Sequence, residues 1–189
     1  MAMLYLVRHG ASVDQKLIRG RLPGYPLSKK GRKQAERAAE FLADKKITAV
    51  YSGPLERARQ TAEIIARKKH LKAKVAKQLN EWNAPKWEGK YWSQVPQTDV
   101  IKYVFRPTTL DVGGETIKNI ADRFSKFCRA VSAHSDAVCV SHRDVIVAGK
   151  LALLKKNLDR LNLQRCKPGS VTVLEKKNGE WKQTKYFEP

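Results

Sequence analysis

Three polar segments of this sequence share one trait: each follows a short apolar run that reads as a β-strand. Arg8-His9-Gly10 follows Met3-Leu4-Tyr5-Leu6-Val7, residues 52–59 follow Ile47-Thr48-Ala49-Val50-Tyr51, and Ser141-His142 follows Ala137-Val138-Cys139-Val140. Histidine and arginine at a strand end are costly to bury without a ligand or partner. A single histidine so placed is more often a satisfied structural group than a catalyst; His9 gains meaning from Arg57 and His142. Arg57 falls in the first turn of a helix opened by Pro54, where backbone N–H groups and the positive end of the dipole favour an anion. Two guanidiniums, two imidazoles and a helix N-terminus suit a tetrahedral phosphate. Guanidinium forks take its oxygens in pairs, and an imidazole can attack phosphorus and hold the group as a phosphohistidine. The rest of such a transfer is positioning and charge stabilisation.

The elements that must position these residues alternate along the chain. Strands are expected at residues 3–7, 47–51, 75–79, 137–140, 170–174 and 181–186, the last two joined by the hairpin signal Asn178-Gly179. Ala35, Ala38, Ala39 and Leu42 line one face of a helix expected over residues 29–46, with lysines and arginines opposite. Ala58, Ala62 and Ile65 mark the core face of the helix after Pro54. Ile117, Ile120, Ala121, Phe124, Cys128 and Val131 mark a long helix behind Gly113-Gly114-Glu115-Thr116, and an apolar helix runs from Ser141-His142 through Leu154. Residues 80–103, with Trp82, Trp87 and Trp92, read as irregular or weakly helical. Such alternation predicts a three-layer α/β/α sandwich whose sheet is mostly parallel with an antiparallel edge. Ligands in such folds gather beyond the carboxyl ends of the strands, where the three polar segments fall. The length of 189 residues, without repeat or linker, suits one domain over residues 1–189.

Composition narrows the partners. Lys and Arg number 38 against 18 Asp and Glu, a net charge of +20. That excess makes a nucleic-acid binder a fair hypothesis. The lysines are scattered, however, with no zinc-finger, basic-zipper or aromatic RNA-binding signature, so solvated helix faces account for most of them. Nucleic acid is expected only as non-specific contact. Cys128, Cys139 and Cys166 are odd in number and at no metal-ligand spacing, so neither disulfide nor metal is indicated. No apolar run is long enough to cross a bilayer, and the opening residues do not read as a secretory signal; a cytoplasmic location is expected.

Taken in order, the segments resemble the histidine phosphatase superfamily, the group of the phosphoglycerate mutases and many small phosphatases. Leu6-Val7-Arg8-His9-Gly10 resembles its defining motif, and Pro26-Leu27-Ser28-Lys29-Lys30-Gly31 with Gln34-Ala35 resembles the lead into the first helix. Tyr51-Ser52-Gly53-Pro54-Leu55-Glu56-Arg57-Ala58-Arg59-Gln60-Thr61-Ala62 matches the second signature closely. Leu79-Asn80-Glu81 with Trp87-Glu88-Gly89, Gly114-Glu115-Thr116 with Arg123, and Val140-Ser141-His142 complete the series. The resemblance implies a phosphoglycerate mutase-like fold, His9 as nucleophile, and Arg8, Arg57 and His142 as the clamp on the phosphoryl oxygens. It implies Glu81 as general acid and then base, with Glu88 as the rival carboxylate. No metal or other cofactor is implied, since cationic side chains supply the electrostatics. Gly10, Ser12, Gly20, Trp82 and Arg143 join the expected phosphate and substrate contacts, whereas Arg59 reads as a surface charge.

Two departures bear on activity. Arg143-Asp144 follows His142 where the family usually has glycine; Arg143 either adds a cation near the phosphate or pairs with Asp144 and faces away. Gly10-Ala11-Ser12-Val13 lacks the acidic residue and asparagine common in the mutase form of this loop. The resulting reading is a metal-independent phosphomonoesterase acting on a small phosphorylated metabolite. A mutase-type phosphoryl transferase is the alternative, and a basic polyanion binder retaining the fold is the alternative of another class. If the charge serves to steer anionic substrates, kcat/KM should fall as the Debye length shrinks from about 10 Å at 0.1 M salt to about 3 Å at 1 M. The value of kcat should change little. Tight, structure-selective nucleic-acid binding at physiological salt that survives His9→Ala would instead establish the polyanion binder.

Overall fold

The computed structural model describes residues 2–13 and 17–189. Its strands are β1 (Ala2–Arg8), β2 (Ala49–Ser52), β3 (Ala73–Val75), β4 (Ala137–Ser141), β5 (Val171–Lys177) and β6 (Glu180–Phe187). They form one sheet in the order β3-β2-β4-β1-β5-β6. β1 runs parallel to β4, β4 to β2 and β2 to β3, while β5 is antiparallel to both β1 and β6. The helices are α1 (Lys29–Phe41), α2 (Glu56–Lys68), α3 (Gln97–Phe105), α4 (Ile117–Val131) and α5 (Arg143–Leu153).

The period of two along the central strands divides the core between two faces. Leu4, Leu6, Ala137 and Cys139 pack with residues of α4 and α5, including Phe124, Ile120, Ile146 and Leu151. Tyr5, Val7, Val138 and Val140 pack with Ala38, Ala39, Ala62 and Ile65 of α1 and α2 on the other face. Every residue of β4 is therefore buried, as expected of a parallel strand covered by helices on both sides. This is the expected three-layer sandwich. The hairpin edge also forms as expected, with Asn178 and Gly179 at φ 51° and 83°, the left-handed pair that a tight two-residue turn requires.

Several boundaries differ from expectation, each for a local reason. α1 stops at Phe41 rather than running to residue 46, with Leu42 as its C-cap. The freed carbonyls of Ala43 and Lys45 accept from Lys69 Nζ, at 2.8 and 2.7 Å, at the far end of α2. Pro54 does not occupy the first helical position; Leu55 caps α2 in extended conformation and the helix begins at Glu56. Arg57 nonetheless lies in the first turn. The third strand is Ala73–Val75 rather than residues 75–79, because its partner β2 ends at Ser52 and the chain turns through a 3₁₀ segment, Lys77–Leu79, that buries Leu79. The tryptophan-bearing stretch contains α3 and a 3₁₀ turn, Trp92–Gln94.

Two features of the fold act directly on the site. α1 and α4 are capped by Ser28 and Thr116 side chains, whereas α2 and α5, which start beside the site, have no side-chain cap. Their first-turn N–H groups lack a side-chain acceptor. The loop after His9 also presses backbone to backbone on α1. A Cβ on Gly31 would stand 1.8 Å from the Ala11 carbonyl oxygen, and one on Gly10 would stand 2.2 Å from that of Gly31. Gly31→Ala should therefore force α1 away from the loop and lower stability by about 1–3 kcal/mol, the range for overpacking. An unchanged urea midpoint would contradict this contact.

Candidate functional site

The carboxyl ends of β1, β2 and β4 open onto a cavity of about 250 Å³ whose wall includes Arg8, His9, Arg57 and Glu81. His9 is held there by two hydrogen bonds. Its backbone N–H donates to the Ser141 carbonyl at 3.0 Å, extending the β1–β4 ladder by one rung. Its Nδ1 lies 2.7 Å from the Gly10 carbonyl oxygen. A carbonyl can only accept, so Nδ1 carries the proton and Nε2 keeps its lone pair. The ring of His142 stands 5.0 Å from that of His9 at an interplanar angle of 61°.

Two cations, the buried Arg57 and the half-buried Arg8, flank the imidazoles, each oriented by a neutral backbone oxygen. Arg8 Nη1 donates to the Cys166 carbonyl at 2.7 Å, and Arg57 Nη2 donates to the Gly20 carbonyl at 2.8 Å. Arg8 Nε and Arg57 Nε are buried donors without a hydrogen-bond partner among the described residues. Donors left so are expensive, at about 1–3 kcal/mol each and more for charged groups. Their grouping around one cavity fits a ligand rich in acceptor oxygens.

Glu81 brings the carboxylate. Its Oε2 is 3.2 Å from His142 Nδ1 and 3.9 Å from Arg57 Nη2. Its backbone carbonyl accepts from Arg21 Nε and Arg123 Nη2, at 2.9 and 3.2 Å. Both arginines also pair with Glu115, at 2.8 and 2.6 Å. Glu115 further accepts from the Asn83 N–H, while its own carbonyl accepts from Trp82 Nε1. Ser141 Oγ donates to the Leu79 carbonyl at 2.8 Å, tying the same loop to the end of β4. Glu88, the rival carboxylate, is turned to the Arg21 N–H at 2.5 Å.

Burial and the neighbouring cations set the protonation states. Burial, then His142, Arg57 and Arg8, push His9 well below the ordinary histidine range, so its ring is neutral at neutral pH. Burial pulls His142 down as well, against the attraction of Glu81. For Glu81 burial acts upward, but His142, Arg57 and the Trp82 N–H outweigh it and hold the carboxyl at about 2. The arrangement is a neutral imidazole, an ionised carboxylate and fixed donors around one cavity.

Of the other residues singled out in the sequence, Gly20 and Trp82 line the cavity. Gly10 and Ser12 do not: the Gly10 carbonyl orients His9, and Ser12 Oγ accepts from Arg19. Arg59 is exposed. Arg143 pairs with Asp144 at 2.5 Å but does not face away, since both line the cavity. Arg19 and Tyr103 on the wall, and Arg21 behind Glu81, were not legible as site residues, because nothing in their sequence neighbourhoods shows where their loops fold back. Glu115 and Arg123 were visible only as markers of the long helix.

The histidine phosphatase superfamily (branch 1) profile matches residues 4–189. Among curated proteins, the uncharacterized protein Rv0525 of Mycobacterium tuberculosis is 33% identical over 90% of this chain and 88% of its own length. Phosphoserine phosphatase 1 of Hydrogenobacter thermophilus is 29% identical over 92% of this chain and 86% of its own. Among solved structures, phosphoserine phosphatase from Entamoeba histolytica in complex with 3-phosphoglyceric acid superposes with a TM-score of 0.89. It is 21% identical and aligns over 100% of this chain and 98% of its own, a likeness of fold.

The depressed basicity of His9 has a direct spectroscopic consequence. As pH falls from 7, the His9 ring should stay neutral through 6.5, where an exposed histidine is half protonated, and titrate only below it. Histidine ring proton shifts followed by NMR, assigned with His9→Ala, would show this. A midpoint at or above 6.5 would contradict the assigned environment.

Proposed function

Because the chain belongs to the histidine phosphatase superfamily, branch 1, we propose that it is a metal-independent phosphomonoesterase. It releases phosphate from a small phosphorylated metabolite through a phosphohistidine on His9. The observation that carries this reading is the His9 ring, locked by the Gly10 carbonyl into the tautomer with Nε2 free, among buried guanidinium donors that lack partners. Relatives of similar length with phosphatase names support the same reaction class. A cytoplasmic place fits three free, buried thiols.

In the first step the Nε2 lone pair of His9 attacks phosphorus, an N–P bond forms, and the bond to the leaving oxygen breaks with its electron pair on that oxygen. Arg8, Arg57 and His142 hold the remaining phosphoryl oxygens as charge spreads over them. Glu81 supplies the proton to the leaving oxygen. In the empty site it is ionised, but a bound phosphate engages Arg57 and His142 and repels the carboxylate. Both effects raise the affinity of Glu81 for the proton that enters with a substrate monoanion. In the second step Glu81, now a carboxylate, takes a proton from water. The resulting hydroxide equivalent attacks phosphorus and the N–P electron pair returns to His9. The two transfers use one carboxyl in both roles.

Rapid quench with labelled substrate should trap a phosphoenzyme that is acid-labile and alkali-stable, and that is lost in His9→Ala. Glu81→Gln should slow an alkyl phosphate by about 10²–10⁴-fold and p-nitrophenyl phosphate far less, because p-nitrophenolate departs without a proton. Acid-stable label would overturn the His9 assignment, and equal losses on both substrates would overturn that of Glu81.

A further inference from the structure

The cavity has an outer half that the transfer itself does not use. Trp82, Trp87, Trp92 and Tyr103 form a cluster of touching rings there, with centroids 5.4–6.2 Å apart across five of the pairs. Against it stands the pair that replaces the glycine usual after His142. Arg143 Nη1 donates to Asp144 Oδ1 at 2.5 Å and to Tyr103 Oη at 3.1 Å, and Tyr103 Oη donates to Asp144 at 3.0 Å. The three groups close a ring of hydrogen bonds, so the charge of Arg143 is already met by a carboxylate held on the same wall. Arg8 and Arg57 are held instead by the Cys166 and Gly20 carbonyls, the Glu81 carboxylate standing 3.9 Å from Arg57. Trp87 Nε1 adds a buried donor without a partner.

Building on the phosphatase reading, we infer that Arg143, Asp144 and Tyr103 select a neutral, hydroxyl-bearing leaving group, the class of sugar and polyol monophosphates, and turn away leaving groups that carry a carboxylate. A hydroxyl both donates and accepts, and so matches a guanidinium and a carboxylate presented side by side. The C–H face of a polyol or sugar ring lies against the aromatic wall. A second anion approaching Arg143 meets Asp144 as well, and like-charge juxtaposition is a strong device for excluding a wrong partner.

Glycerol 3-phosphate and 3-phosphoglycerate test this directly, since they differ in a hydroxymethyl group against a carboxylate at the end away from the phosphate. The wild-type protein should show a kcat/KM at least about tenfold higher for glycerol 3-phosphate. Asp144→Asn, which leaves Arg143 unopposed, should narrow that ratio by about tenfold, and Arg143→Gln should widen it. Opposite shifts in the two variants are not what a general folding defect produces. A wild-type preference for 3-phosphoglycerate, or a ratio unmoved in both variants, overturns the inference while leaving the phosphatase reading intact. Failure of the wild-type protein to release phosphate from p-nitrophenyl phosphate overturns the phosphatase reading, and this inference with it.

Discussion

The parallel pairing of β1 with β4 is the constraint on which the site rests. Leu4 stands opposite Ala137 and each later residue keeps that register to Arg8 opposite Ser141. Because the strands run the same way, their carboxyl ends finish at one place. The next backbone bond, His9 N–H to the Ser141 carbonyl, locks the two chain exits together. His9 and His142, far apart in sequence, thereby bring their rings within 5.0 Å. A slip of one residue would move every side chain of β1 to the opposite face, exchanging Tyr5 and Val7 for Leu4 and Leu6 in the two cores. The same register that fills both cores thus sets His9 beside His142.

Around this pair the guanidiniums are held mainly by backbone carbonyls. Arg8 and Arg57 are steered by the Cys166 and Gly20 carbonyls rather than by close carboxylates, and Glu81 Oε2 stands 3.9 Å from Arg57. An anion entering between closely ion-paired guanidiniums would have to displace a carboxylate. Buried donors without partners destabilise the empty fold, but they are already in place when charge develops on a phosphoryl group. Burial first, and then the neighbouring His142, Arg57 and Arg8, suppress protonation of His9.

The carboxylate is positioned differently, through a loop rather than a strand. Arg21 and Arg123 grip the Glu81 carbonyl and converge on Glu115, while Ser141 pins Leu79 to β4. Arg21, Arg123 and Glu115 thus act on Glu81 through its backbone. The loop joins the strand platform at one end and the aromatic cluster at the other, so Glu81 and these rings belong to one packed unit.

Much of this was legible from residue order. The period of two in β1 and β4, the helical spacing in α1, α2 and α4, and the polar segments at strand ends identify a layered α/β fold and draw out Arg8, His9, Arg57 and His142, because local hydrophobic pattern and element type are short-range properties of the chain; Glu81 came only from the family resemblance. The ends of elements were less legible, since α1 stops where Lys69 reaches its loop and β3 stops where β2 does, and both depend on a neighbour. Least legible was the segment between Glu81 and Thr116, which has no dominant period. There the locations of Trp82, Trp87, Trp92 and Tyr103 follow from their packing on one another, and whether Arg143 faced the cavity or Asp144 depended on a tyrosine hydroxyl from α3. Such contacts join residues distant in the chain, and only the folded backbone brings them within hydrogen-bonding distance.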